Sequence, residues 1–349
     1  MTENLQFETN DQGVGIITLA REKALNSLSY DMVTHMLQLL KKWKNEDAIQ
    51  VILLEGAGER AFCAGGDIKS LYQTRERENG FQEAKQFFNI EYELDLLIAT
   101  YPKPILVLMD GIVMGGGVGL SYGASHRVVT EKTKWAMPEM NIGFFPDVGA
   151  CYFLSQTPGY TGRYAALTAT TLTGADAIFM GCADYFIPSE SFSTLRDQFL
   201  SHNWLADNEN RNQSVHLFLQ AFIQEPPASE LAALQQKIDH HFSNKTIDLI
   251  IASLEAEKDE FARDTAQLLR KKSPLSLKVT LAHLKQSQSS TLEETYETDK
   301  ILAMHFLQCE DFYEGVRSVL IDKTREPAYQ YKSIEDVPDD LALSFFREL

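Results

Sequence analysis

Through the first half of the chain, short apolar runs of strand length alternate with segments of helical period. Gly15–Leu19 (GIITL) reads as a strand. Ser29 is placed to cap a helix on which Met32, Met36, Leu40 and Trp43 share one face. Val51–Leu54 reads as the next strand, closed by Glu55-Gly56. A helical period then covers residues 81–100 until Pro102 and Pro104 end it, and Ile105–Met109 runs as a third strand into a glycine cluster. Strands trading places with helices predict an α/β layer structure with crossover connections. After about residue 188 strand-like runs become rare, and helical period dominates over 212–223, 228–242, 246–270, 275–287 and 291–308. The polar segment Pro188–Asn212 holds no strong period and is the expected boundary. It divides the chain into an α/β core over 1–190 that carries the chemistry and a mainly helical region over 191–349. The closing stretch DVPDDLALSFFREL is amphipathic and is expected to dock on the body.

Charge narrows the class of ligand. Against 32 lysines and arginines stand 49 aspartates and glutamates, a net −17 that repels a phosphate backbone and argues against nucleic acid. An anionic ligand must therefore be held by local donors. Four cysteines, at 63, 151, 182 and 309, form no CxxC pair and suit a reducing compartment. The opening MTENLQFETNDQGVG is acidic, with neither the basic start of a secretory signal nor mitochondrial character, so a cytoplasmic location is expected. The most membrane-like stretch, 104–124, carries Asp110 and six glycines and reads as a buried strand and tight turn rather than a span. Eight histidines are scattered without metal spacing, and the adjacent His240-His241 read as a solvated face; no metal is expected. Ser121 and Ser125 lack the GxSxG context of a serine hydrolase.

Three blocks carry candidate chemistry. In RAFCAGGDIK (60–69) two consecutive glycines expose backbone N–H groups, and the following residues start a helix. The same block is readable as a plain turn before a helix. Its Cys63, between Phe62 and Ala64, reads as a buried inert thiol rather than a nucleophile. In DGIVMGGGVGLSYG (110–123) three glycines in a row, then Gly119, are costly for structure alone. A dinucleotide loop needs GxGxxG, and the spacing here fails at Gly123. The other reading is a backbone donor for an oxyanion. In MPEMNIGFFPDVGAC (137–151) Glu139 and Asp147 sit among Met137, Met140, Ile142, Phe144 and Phe145. Desolvation there favours a neutral carboxyl group and raises its pKa, which suits acid–base work. The plain alternative is that Glu139 caps a turn and Asp147 caps a helix beginning at Val148.

These three blocks, with REKALNSLSYDM near the start, closely resemble the signature blocks of the crotonase (enoyl-CoA hydratase/isomerase) superfamily, and the resemblance spans most of the chain. It implies a spiral of ββα turns followed by a helical region, and an acyl-coenzyme A thioester as ligand. Within the superfamily the chain resembles the branch that hydrolyses the thioester. Gly119 stands where hydratases carry a catalytic glutamate, and Asp147 where they carry a small residue. Glu91-Tyr92 precedes the third strand, and SPLSLKVTL and EDFYEGVRSVLIDK resemble that branch's tail blocks, although AYQYKS replaces an expected tryptophan-containing stretch. The resemblance implies hydrolysis of 3-hydroxyisobutyryl-CoA, a step of valine breakdown. It makes the N–H groups of Gly66 and Gly116 the oxyanion donors and Glu139 the reacting carboxylate, acting as base on water or as nucleophile. Asp147 then binds the 3-hydroxyl group or positions water, and Glu91 lines the acyl pocket. Asp67, Ile68 and Lys69 belong to the substrate-binding block, and Lys23 and Lys69 are the cations placed to meet nucleotide phosphates. No cofactor is implied, since coenzyme A is part of the substrate, and related enzymes self-associate. The competing readings are an enoyl-CoA hydratase or isomerase, a non-catalytic coenzyme A-binding relative, and a nucleotide-dependent oxidoreductase.

Overall fold

A computed structural model of the chain describes residues 4–206 and 210–349. Residues 1–3, which open the acidic N-terminal stretch, and 207–209, inside the expected boundary segment, lie outside the described residues. The strands are β1 (Leu5–Thr9), β2 (Val14–Leu19), β3 (Val51–Gly56), β4 (Ala61–Cys63), β5 (Ile105–Met109), β6 (Ile112–Met114), β7 (His126–Val129), β8 (Lys134–Ala136), β9 (Leu172–Thr173) and β10 (Tyr185–Phe186). The helices of the first half are α1 (Tyr30–Trp43), α2 (Ile68–Thr74), α3 (Gly80–Ala99), α4 (Gly116–Tyr122), α5 (Ala150–Leu154), α6 (Thr161–Thr168) and α7 (Gly174–Phe179). Then come α8 (Phe192–Ser201), α9 (Arg211–Leu219), α10 (Glu230–Phe242), α11 (Ile247–Ala256), α12 (Glu260–Arg270), α13 (Pro274–Ser287), α14 (Leu292–Phe306), α15 (Glu310–Val316) and α16 (Asp339–Ser344).

By compactness the chain forms two units, each drawn from several segments. One holds residues through Gly66, Ile90–Trp135 and Leu172–Ser229; the other holds Asp67–Asn89, Ala136–Thr171 and Glu230–Leu349. The expected boundary near residue 190 marks where strands stop, which is a different division from this one.

The first unit is built on two sheets. The larger runs β1-β2-β3-β5-β7-β10 and the smaller β4-β6-β8-β9. Successive turns of chain lay one strand in each sheet: β3 then β4, β5 then β6, β7 then β8. This is the ββα spiral expected from the sequence. In the larger sheet only β1 and β2 run antiparallel; β2–β3, β3–β5, β5–β7 and β7–β10 are parallel. Parallel strands are covered on both faces, which explains why β5 (ILVLM) is buried throughout instead of alternating. Val14 and Ile16, Val51 and Leu53, Leu106 and Leu108 share one face of the sheet, two residues apart on each strand. Leu195, Phe199 and Trp204 from α8 and its exit, with Val215 and Leu219 from α9, complete that core. The first helices beyond residue 190 are thus the covering layer of the sheet.

The second unit is mainly helical. The expected helices over 275–287 and 291–308 appear as α13 and α14. The expected helix over 246–270 is broken at residues 257–259, where Asp259 caps α12 by accepting the Ala262 N–H. The closing amphipathic stretch forms α16, which packs on α13. The reading of His240-His241 as a solvated face holds for His240, which is exposed, and is corrected for His241. His241 is buried, its Nδ1 lies 2.9 Å from Ser253 Oγ, and it stacks against Phe261. Burial first, and His240 second, lower its pKa.

One residue holds the opening block in place. Asn26 is buried with φ +57, a conformation Asn tolerates because its side chain replaces lost backbone bonds. It accepts the Arg21 N–H (3.0 Å) and donates to the carbonyls of Ala57 (3.0 Å) and Ala61 (2.8 Å). Just beyond it, Leu28 donates to Gly65 (2.9 Å). We expect Asn26→Ala, which strands two carbonyls, to cost about 3 kcal/mol. A denaturation midpoint unchanged from wild type would overturn this role.

Candidate active site

The two glycine blocks meet within the first unit. Gly65 (φ +97) and Gly115 (φ +51) turn the chain in conformations that L side chains rarely adopt. A Cβ on Gly65 would stand 3.1 Å from the Met114 carbonyl oxygen and 3.4 Å from Gly116 N. A Cβ on Gly116 would run into the Glu91 carboxylate and come within 3.3 Å of both Gly66 N and Leu28 Cδ1. Gly117 has the same constraint against the Cys63 carbonyl. Bare backbone is therefore required here by packing. Gly116 also begins α4, so no carbonyl of its own helix reaches its N–H. Gly66, Gly116 and Glu91, three of the residues singled out from sequence, are brought together.

Glu91 lies on α3 and is 2% exposed, with Asp95 one turn further along and equally buried. Both raise the pKa of Cys63, which burial pushes first, to about 12. The thiol is inert, as the sequence reading had it. Asp95 escaped that reading because nothing in its own segment marks it.

Glu139 and Asp147 belong to the second unit, and both are buried. Glu139 opens a one-turn 3-10 helix (Glu139–Ile142) that ends at Gly143 (φ +67), and the Gly143 and Phe144 N–H groups return to the Glu139 carbonyl. Met140 Sδ accepts a hydrogen bond from Thr280 (3.3 Å), and Gly315 of α15 lets that helix approach the Ile142 backbone. Beyond the turn, Phe144 stacks on Phe88 (5.6 Å) and packs edge-on to Phe306 (5.3 Å). These rings exclude water, and the turn takes a fixed position from them.

The suggestion that Asp147 caps a helix at Val148 is corrected. Val148 (φ +54) and Gly149 (φ +75) are both left-handed, α5 starts only at Ala150, and its cap position is Gly149 with no side-chain bond. Two consecutive left-handed residues, one β-branched, are costly unless braced. The brace comes from distant helices. Asp299 on α14 accepts the Gly149 N–H (2.8 Å) on one oxygen, while the other lies 2.7 Å from His283 Nε2 on α13. Tyr296 donates its hydroxyl proton to the Val148 carbonyl (3.0 Å). Cys151 registers the charge here: burial first, then Asp299, Asp147 and Glu139, push its pKa well above the usual thiol value. Sequence reading missed Asp299, His283 and Tyr296, which lie some 130 residues or more from the loop they hold.

The remaining predicted residues have plainer settings. Asp67 caps α2, accepting the Ser70 N–H (3.2 Å), and Ile68 is the first residue of that helix. Lys69 and Lys23 are exposed, with no carboxylate at ion-pair distance among the described residues.

Residues 14–346 match the family described as enoyl-CoA hydratase/isomerase. Among curated proteins, the chain is similar to a Xenopus laevis protein named 3-hydroxyisobutyryl-CoA hydrolase, mitochondrial, at 38% identity over 96% of this chain and 86% of that one. It is also similar to an Arabidopsis thaliana protein named 3-hydroxyisobutyryl-CoA hydrolase 1, at 35% identity over 96% of this chain and 89% of that one. Among solved structures, one named as a carnitinyl-CoA dehydratase from Mycobacterium thermoresistibile superposes with a TM-score of 0.92 at 38% identity. That match covers 100% of this chain and 97% of the other. The chain belongs to the enoyl-CoA hydratase/isomerase family.

Proposed function

We propose that the protein hydrolyses the thioester of 3-hydroxyisobutyryl-coenzyme A to the free 3-hydroxy acid and coenzyme A. The observation that carries this reading is the convergence of Gly66 N, Gly116 and the buried Glu91 carboxylate. A thioester oxygen gains negative charge when its carbon is attacked, and only bare backbone can bring amide donors to it. The names of the curated relatives support the substrate.

In this reading the N–H groups of Gly66 and Gly116 receive the developing oxyanion. Glu139 takes the proton of the attacking water as the new C–O bond forms. When the tetrahedral intermediate collapses, the C–S bond breaks and the sulfur leaves with the proton Glu139 holds. A second route uses the same residues: the Glu139 carboxylate displaces the thiolate to form an anhydride, which water then cleaves. Asp147 binds the 3-hydroxyl group or positions water, its segment held by the Asp299 brace. Glu91 lines the acyl pocket, and Lys23 and Lys69 meet phosphates of the substrate. The reaction needs no metal or redox cofactor.

Hydration of an enoyl-CoA is the second reading, favoured by the dehydratase name of the similar solved structure. Gly119 weighs against it, since adding water across a double bond calls on a second carboxylate there in the hydratases this chain resembles. For the compartment, three buried cysteines and a partly buried fourth, none in a disulfide, fit a reducing environment. Among the described residues no helix is long and apolar enough to cross a membrane. We favour the cytoplasm, although the Xenopus relative's name reads mitochondrial; cell fractionation decides between them.

Four measurements test the function. Glu139→Gln is expected to lower the rate of thiol release from 3-hydroxyisobutyryl-CoA by about 10³-fold with little change in thioester binding; near-normal turnover would remove Glu139 from the reaction. Gly116→Ala places a methyl group against Glu91 and is expected to cost about 10²–10³-fold in kcat. An unchanged kcat would place the oxyanion elsewhere. Gly119→Glu is expected to reduce thioester hydrolysis, and wild type is expected not to consume crotonyl-CoA by absorbance. Rapid crotonyl-CoA hydration by wild type would favour the second reading.

A further inference from the structure

The second unit carries a cleft of about 460 Å³ whose walls are cationic. Five of its lining residues are Arg270, Lys271, Lys272, Arg325 and Lys332, against one carboxylate, Glu326. That balance is the reverse of the chain's net −17. Arg270 pairs with Glu255. Lys271, Lys272, Arg325 and Lys332 have no carboxylate at ion-pair distance among the described residues, although the chain holds 49 of them.

Lys272 is the most telling member. It is 5% exposed, and its ammonium group donates only to the neutral side-chain oxygen of Asn141. Burial first, then the neighbouring Lys271, lower its pKa to about 8, and no acidic group offsets them. An ammonium buried without a counter-charge is costly, and an anion entering the cleft would relieve the cost. The backbone is strained in the wall itself: Arg325 is held at φ +58, two residues after Lys323 at the same angle and beyond the π-helix Arg317–Ile321. Such irregularities gather at binding sites.

Size and wall chemistry narrow the ligand. Inorganic phosphate would leave most of this volume empty, whereas a cleft of this size suits a small organic molecule. Tyr329 and Tyr331 also line the cleft and offer flat apolar faces beside the cations. We infer that this cleft is a binding site for a nucleoside phosphate. Lys23 and Lys69 are not part of it. Two sources share this chemistry: the nucleotide end of the coenzyme A substrate and a free nucleotide.

Calorimetric titration of the full chain with adenosine 3′,5′-bisphosphate tests the site. We expect saturable binding that weakens at least about tenfold in Lys271→Ala/Arg325→Ala, two exposed positions, and weakens again as salt is raised. The salt series on wild type needs no variant to fold. No binding to wild type, equal affinity in the double variant, or insensitivity to salt would overturn the site. Inorganic phosphate competing as well as the bisphosphate would overturn the nucleoside assignment. Displacement of the bisphosphate by coenzyme A identifies the substrate's own nucleotide as occupant; simultaneous binding identifies a free nucleotide. Only this last competition rests on the thioester reading, whose own failure would appear separately as absence of thiol release.

Discussion

Main-chain amides can hold a carbonyl oxygen only where no side chain stands in front of them. The first unit leaves its backbone bare at two turns that come together. The turns at Gly65 and Gly115 come so close that a methyl group on Gly65 would press on the Met114 carbonyl, and one on Gly116 would crowd Gly66 N. Both turns hang from short strands of one sheet, β4 and β6, which pair in parallel. The opening block is tied across the first of them by Asn26 and Leu28. A buried carboxylate, Glu91, then takes the space a Gly116 side chain would have filled.

Local pattern made some of this legible and could not reach the rest. The cap at Ser29 and the apolar face of α1 are read directly, because both are set by residues within four positions of one another. Strand β5 is read from its unbroken apolar run. Strand β6 is not: three residues between glycines carry no period, and pairing with β4 and β8 defines it. The long helical stretch over 246–270 hides its break, since Asp259 is an ordinary helix-surface residue until its carboxylate turns to the Ala262 N–H. His241 looks polar in sequence and is core in the fold, because Ser253 and Phe261 on later helices give it a partner and a stacking face.

The site shows the same divide. Glycine clusters and carboxylates among apolar residues announce themselves, which marks Glu139 and Asp147, while Gly66 and Gly116 are singled out within their clusters by the family resemblance. What holds them could not. The left-handed pair Val148-Gly149 after Asp147 depends on Asp299, His283 and Tyr296, contributed by helices that a local reading assigns only to a packing role. The helical region of this chain is therefore part of how the Asp147 segment keeps its shape.

The state of the cysteines carries a consequence of its own. Burial holds Cys63 and Cys182 at about 12 and Cys309 at about 11, and acidic neighbours add to burial at Cys151. Disulfide exchange proceeds through the thiolate. A catalyst that liberates a free mercaptan at each cycle meets a disulfide of that mercaptan whenever it is oxidised. With Cys63, Cys151 and Cys182 protonated and enclosed, this polypeptide offers few thiolates that its own leaving group could cap.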